Sequence, residues 1–338
     1  MSGEQPGREE IEETSEEAGT VKQQSSLAGS LLHKLIFLNW VQSPPLPLVP
    51  DLSEPAAFFS ADDPDFTQSN ISHFFISSPR TGAAGVPGKL GAWYMLPPTS
   101  TGKVESLSSS DVVLLYLHGN GYNRSQAHRV SLYKVFLSLG YYVLSIDYRG
   151  YGDSTNIAPT EQSVVSDARA GLAWLTSKLG EKVKVVVWGH SLGTAIASHM
   201  IAEFDLETGG TSPVSGLVLE APFNCMRDEV MTFKAARALQ TFVNIEETLE
   251  QSDMAFKTNK WLPAVKCPVL IFHAEDDNVV PYELAVKLHQ QTREAGKENM
   301  RFVTFPASLG LAHNYLYQSE TVKTELTQFV AEISKLSK

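Results

Sequence analysis

Ser191 lies in "VVVWGHSLGTAIASHM", Val185 to Met200, where a β-branched run meets an Ala-rich stretch with no linker on either side. A strand that turns straight into a helix strains the backbone of the central residue, and the residues two before and two after it must lack side chains. Gly189 and Gly193 fill those positions around His190, Ser191 and Leu192. Such a nucleophile elbow lifts the serine hydroxyl to a helix N-terminus, where the dipole and free N–H groups favour developing negative charge. The chemistry is nucleophilic attack through a covalent acyl intermediate.

A serine hydroxyl is a poor nucleophile at neutral pH. It needs a general base and a carboxylate to orient that base, in the chain order Ser, Asp or Glu, His. The base is His313 in "RFVTFPASLGLAHNYLY", the only histidine after that strand. The preferred carboxylate is Asp277 in "HAEDDNVVP"; adjacent Asp276, and Glu220 at the end of "GLVLE", also sit at strand ends, and spacing leaves the three open. A developing oxyanion needs two N–H donors. Leu192 N–H follows from the elbow, and the small-residue turn "HGNGYNR" offers Asn120 as the second, with His118 holding the loop.

These residues must be carried by strands and helices in alternation. Short β-branched runs, "LGAWYML", "DVVLLYL", "YYVLSI", "VKVVVW", "GLVLE", "PVLIF" and "RFVTF", follow from Lys89 onward. Several are apolar on both faces, and helical stretches at 131–139, 161–179, 192–204, 282–291 and 321–335 separate them. That pattern predicts an α/β domain over residues 65–338 with a mostly parallel, doubly covered sheet. Residues 221–268 exceed a normal crossover and place Phe233, Ala236 and Phe242 at near-helical spacing, which predicts a helical lid over an acyl-chain channel.

Ahead of the domain, residues 1–26 are Glu-, Ser- and Gln-rich, the composition of a disordered tail. They do not have the form of a signal peptide. Residues 1–20 alone supply −6 of the net charge of −11, so the remainder is unexceptional. With no basic stripe, nucleic acid is excluded as a partner. Residues 27–64 hold an amphipathic helix candidate (Ala28, Leu31, Leu32, Leu35, Ile36) and a Pro-rich linker. His33, Lys34 and Asn39 interrupt it short of the roughly 20 apolar residues of a spanning helix. It either lies in a membrane interface with Trp40 at the headgroups or folds back on the domain. Cys225 and Cys267 form neither a disulfide framework nor a zinc site, and no metal or organic cofactor is expected. Asn70 and Asn123 begin N-glycosylation sequons.

Together "LYLHGNGYNR", "DYRGYGDST", "VWGHSLGT", "LEAPFNCMRDE", "FHAEDDNVVPYELAVKL" and "FPASLGLAHNYLY" resemble the abhydrolase-domain serine lipases that cleave lysophosphatidylserine and monoacylglycerols. The resemblance runs from about Phe74 to the end. It implies an α/β-hydrolase fold, Ser191 as nucleophile, Asp277 as acid and His313 as base. It also implies a lipid substrate, a membrane surface as partner, and residence at the endoplasmic reticulum, the alternative being a cytoplasmic location. Arg124, Arg129 and Arg227, beside the oxyanion turn and the lid, are candidates to meet a phosphate headgroup. The competing readings are a small-ester or thioester (depalmitoylating) hydrolase and a silent α/β-hydrolase scaffold.

Overall fold

The structure, a computed structural model, describes residues 51–59, 70–81, 86–98, 100, 107–108, 111–179 and 183–336. The acidic tail and the amphipathic-helix candidate lie outside the described residues. Eight strands, β1 (Ile71–Thr81), β2 (Val86–Met95), β3 (Val112–Leu117), β4 (Tyr142–Ile146), β5 (Lys184–His190), β6 (Val214–Glu220), β7 (Val269–Ala274) and β8 (Met300–Phe305), form one sheet in the order β1-β2-β4-β3-β5-β6-β7-β8. The β1–β2 and β2–β4 pairs are antiparallel and the rest parallel.

The apolar runs are continuous because central strands feed two cores at once, alternate side chains pointing to opposite faces. On one face Val113, Leu115, Leu117, Val185 and Val187 meet α2 (Glu161–Lys178) and α3 (Leu192–Thr208). On the other, Val112, Leu114, Tyr116, Val186 and Trp188 meet α1 (Ala127–Ser138) and α9 (Glu320–Leu336). The helices that follow β3 and β5 therefore leave toward opposite faces. This divergence makes the carboxyl ends of the two strands a topological switch point, where α/β sheets hold their sites.

Three features differ from the sequence expectations. β1 precedes the expected first strand; it is an edge strand that leaves Phe75 exposed while burying Ile76. Residues 51–59 belong to the folded body: Leu52 and Phe59 are buried, and Trp93 Nε1 donates to Leu52 O at 2.9 Å. The insertion after β6 consists of short helices, α4 (Met226–Val230), α5 (Lys234–Leu239), α6 (Ile245–Gln251) and α7 (Thr258–Trp261). Phe233 precedes α5 and Phe242 follows it, so the two do not share one helical face with Ala236; they are 55 % and 85 % exposed, while Ala236 is buried. The remaining helix, α8 (Tyr282–Glu294), joins β7 to β8. Among the described residues no helix is long and apolar enough to cross a membrane.

Candidate active site

Ser191 joins β5 directly to α3 with φ 52° and ψ −118°. A non-glycine residue is held in that sparsely populated region only when its surroundings over-determine it. Ser191 N–H donates to Glu220 O on neighbouring β6 at 2.9 Å, and Ser191 O accepts from Thr194 N–H at 2.9 Å and Thr194 Oγ1 at 2.6 Å. A Cβ on Gly189 would come within 2.4 Å of Gly193 O, and one on Gly193 within 2.0 Å of Leu117 O. Both glycines are therefore steric requirements of the turn. The serine side chain does not cap α3. Leu192 N–H is one of the first-turn donors that lack an intrahelical acceptor.

Sequence-distant loops meet at this turn. His190 Nε2–H donates to His313 O at 3.1 Å, and the two imidazoles lie 4.9 Å apart. His313 Nδ1–H donates to Asp277 Oδ2 at 2.7 Å, leaving Nε2 as the basic nitrogen of that tautomer. Asp277 Oδ1 accepts from Val279 N–H (2.8 Å) and Val280 N–H (2.9 Å), and His273 Nε2 approaches Oδ2 at 3.3 Å. Burial alone would raise the Asp277 carboxyl; its bonds to His273 and His313 outweigh that and hold it well below the usual carboxylate range. The other two candidate carboxylates do different work. Asp276 Oδ2 accepts from Ala312 N–H at 3.1 Å, steadying a residue at φ 44° just before His313. Glu220 Oε2 accepts from Trp188 Nε1 at 2.8 Å, and burial, then the Asp277 charge, leave its carboxyl up at about 7 despite that bond.

The turn after β3 presses on the serine: a Cβ on Gly119 would lie 2.9 Å from Ser191 Cβ. Asn120 Oδ1 accepts from Tyr151 OH at 3.0 Å. His118 is buried, with Nδ1 on Gly119 O at 2.8 Å and Nε2 3.3 Å from Asp147, the structural part expected of it.

The expectation that Arg124 meets a headgroup does not survive its surroundings. It is 0 % exposed, and its guanidinium lies between Asp147 (2.5 Å) and Asp153 (2.7 Å) with Trp93 against it. A buried ion pair of this kind leaves no donor face for substrate. Arg129 is buried too. Arg227 is half-exposed, bonded to Asp228 Oδ1 at 3.0 Å, and lines a cavity of about 450 Å³ with Met231 and residues 240–246. The Asn123 side chain is buried and accepts from Ser125 N–H and Oγ, so its sequon is closed to glycosylation in the folded protein. Cys225 and Cys267 are free thiols, and among the described residues no group of three or more His, Cys, Asp or Glu is placed to hold a metal.

Some contacts of the site were not foreseen. His190, expected only as part of the elbow, also ties that turn to the His313 loop, and His273 Nε2–H donates to Val280 O at 2.9 Å while lying 3.3 Å from Asp277 Oδ2. Glu229, on α4, is buried with Oε2 unpartnered among the described residues; burial and the charge of Asp277 push its carboxyl up to about 8. A usable signal existed only for the arginine braces: charged residues concentrated in "DYRGYGDS" right after an apolar strand.

A family model described as the alpha/beta hydrolase fold matches residues 112–249. Two solved structures share the fold at low identity: a Pyrococcus furiosus esterase, Pf2001 (TM-score 0.57, 17 % identity, 78 % of this chain and 91 % of that one), and an alpha-beta hydrolase from Vibrio vulnificus (0.59, 19 %, 84 % and 86 %). The chain is 33 % identical over 317 residues to the lysophosphatidylserine lipase ABHD12 of Danio rerio, covering 89 % of this chain and 77 % of that one. The Mus musculus lipase of the same name is 32 % identical over 316 residues (88 % and 74 %), and the Homo sapiens protein ABHD12B 34 % over 258 (72 % and 69 %). The class defined by fold and relatives is a carboxylic ester hydrolase, a serine lipase of the α/β-hydrolase type. Within it, this chain belongs to the ABHD12 family.

Proposed function

We propose that the protein releases fatty acid from lysophospholipids, lysophosphatidylserine among them, and from monoacylglycerols, by an acyl-enzyme mechanism. Ser191 Oγ attacks the ester carbonyl while His313 Nε2 takes its proton. The N–H groups of Leu192 and Asn120 receive the oxyanion, and His313 then protonates the leaving alcohol. Water, deprotonated by the same nitrogen, releases the acid and restores the serine; Asp277 keeps the imidazole in the Nδ1–H tautomer throughout. The observation that carries this reading is the joining of three sequence-distant parts: His190, next to the strained serine, holds His313, and His313 holds Asp277. The names of the ABHD12 relatives support the substrate class. Residues 221–268 serve as the lid of the 65–338 domain, and Arg227 is the remaining candidate for the phosphate. Exposed Tyr122, Phe233 and Phe242 favour work at a membrane surface; residence at the endoplasmic reticulum is proposed on the family resemblance alone.

The test is fatty-acid release by purified protein and Ser191→Ala from lysophosphatidylserine, a monoacylglycerol and a short-chain ester. Serine-dependent turnover fastest on a lipid is expected. Turnover confined to the short ester would remove the lipid assignment, and turnover that survives Ser191→Ala would remove the mechanism.

A further inference from the structure

Three arginines are buried around the turn after β3, and one is held unlike the others. Arg124 pairs with Asp147 and Asp153, and Arg149 with Asp167. Arg129, at the start of α1 and 2 % exposed, gives its hydrogen bonds to main-chain carbonyls alone: Nη1 to Asn123 O at 2.6 Å, and Nη2 to Gly121 O at 2.8 Å and Gly119 O at 3.2 Å. Its Nε is buried without a partner among the described residues. A guanidinium stays charged at every accessible pH, and burying one without a carboxylate is costly unless other acceptors take its protons. The three carbonyls all belong to the turn that presses on Ser191.

A trans peptide is planar, so fixing the direction of one C=O fixes the following N–H in the opposite direction. Gly119 O is held from two sides, by Arg129 Nη2 and by His118 Nδ1–H at 2.8 Å. The N–H across that same peptide belongs to Asn120. A cation on the carbonyl also draws charge from the peptide and makes its N–H a stronger donor. We propose that Arg129 is a positioning residue for the oxyanion hole, aiming and polarising the Asn120 N–H through the carbonyl of Gly119. The neighbouring imidazole does not share the charge: burial, and then Arg129 itself, push His128 down to about 3. The proposal rests on the reading above in which Asn120 N–H receives the oxyanion.

Arg129→Gln, which keeps much of the stem and removes the charge, and Arg129→Lys, which keeps the charge and loses the fork, test it. A trifluoromethyl ketone that forms a tetrahedral adduct with Ser191 reports on the oxyanion hole, and a non-hydrolysable ether lysolipid reports on ground-state binding. In Arg129→Gln, kcat and ketone affinity should fall together by about 10- to 100-fold, with ether-lipid affinity little changed; Arg129→Lys should recover part of the loss. A folded Arg129→Gln with kcat within about threefold of the parent, or with ether-lipid affinity lost as fully as kcat, overturns the proposal. A variant that does not fold is bypassed by the unaltered protein. There the Asn120 amide proton should shift downfield when the ketone adduct forms, and an unmoved resonance overturns the proposal. Fluorophosphonate labelling separates the two layers. If Ser191 is not labelled, the acyl-enzyme reading fails; if it is labelled and the Arg129 variants keep full kcat, only the role of Arg129 falls.

Discussion

Residues 118–125, after β3, and residues 231–244, in the insertion after β6, are built by opposite means. In the first, His118, Asn123, Arg124 and Ser125 are buried, and Asp147, Asp153 and Arg129 brace the turn. In the second, Ala236 is the only buried residue, and Phe233 and Phe242 face solvent. A turn braced by buried charge opens only with the whole fold, whereas a segment with few buried apolar contacts can open locally at much lower free energy. The first region has the fixed directions that the proposed oxyanion donor Asn120 needs. The second has the adaptable surface that suits the proposed lid over chains of varied length.

The largest effects are expected at the braced side. Asp277→Asn should lower kcat about 10⁴-fold through loss of the imidazole tautomer, while Asp276→Asn, which only steadies Ala312, should lose about tenfold. Equal losses on one ester substrate would mean that the Asp277 contact to His313 has no special part. Next in size, Arg124→Met strands the carboxylates of Asp147 and Asp153 and should cost about 3–5 kcal/mol in denaturant unfolding. A loss near that of a surface substitution would show that the brace is dispensable.

Glu229 lies at the inner, buried end of the insertion, where the two kinds of construction meet. Its carboxyl is raised from 4.5 to about 8, first by burial and then by Asp277. Between those values the folded protein keeps a proton that the unfolded chain releases, so stability falls as pH rises through the window. Glu229→Gln carries no such proton and should gain about 1–2 kcal/mol on the parent at pH 8 relative to pH 4, read by unfolding at both. An equal difference at the two values would show that the group ionises normally. The smallest effect belongs to the exposed side. Phe233→Ser with Phe242→Ser should leave stability within about 0.5 kcal/mol and raise KM for a long-chain ester about three- to tenfold, with short-ester KM unmoved. A fall in stability would place these rings in the core.

The serine turn was legible in the sequence because it is local. Gly189, Ser191 and Gly193 sit within five residues, and the apolar run before them and the Ala-rich run after them announce strand and helix. β1 was not legible, being a half-exposed edge strand with a weak alternation of apolar residues. The arginines were misplaced because charge argues for the surface unless a carboxylate lies nearby in space, and Asp147 and Asp153 lie 23 and 29 residues away from Arg124.

Taken alone, the sequence determined the α/β class, the strained serine turn and the order in which the other two groups arrive, since each follows from short-range sterics and periodicity. Only the tertiary structure decided which of two adjacent aspartates touches His313, and that Arg129 holds a loop where a headgroup contact was expected. Those choices depend on turns closing across 36 residues or more and on which charges the fold removes from water, and no local pattern encodes either.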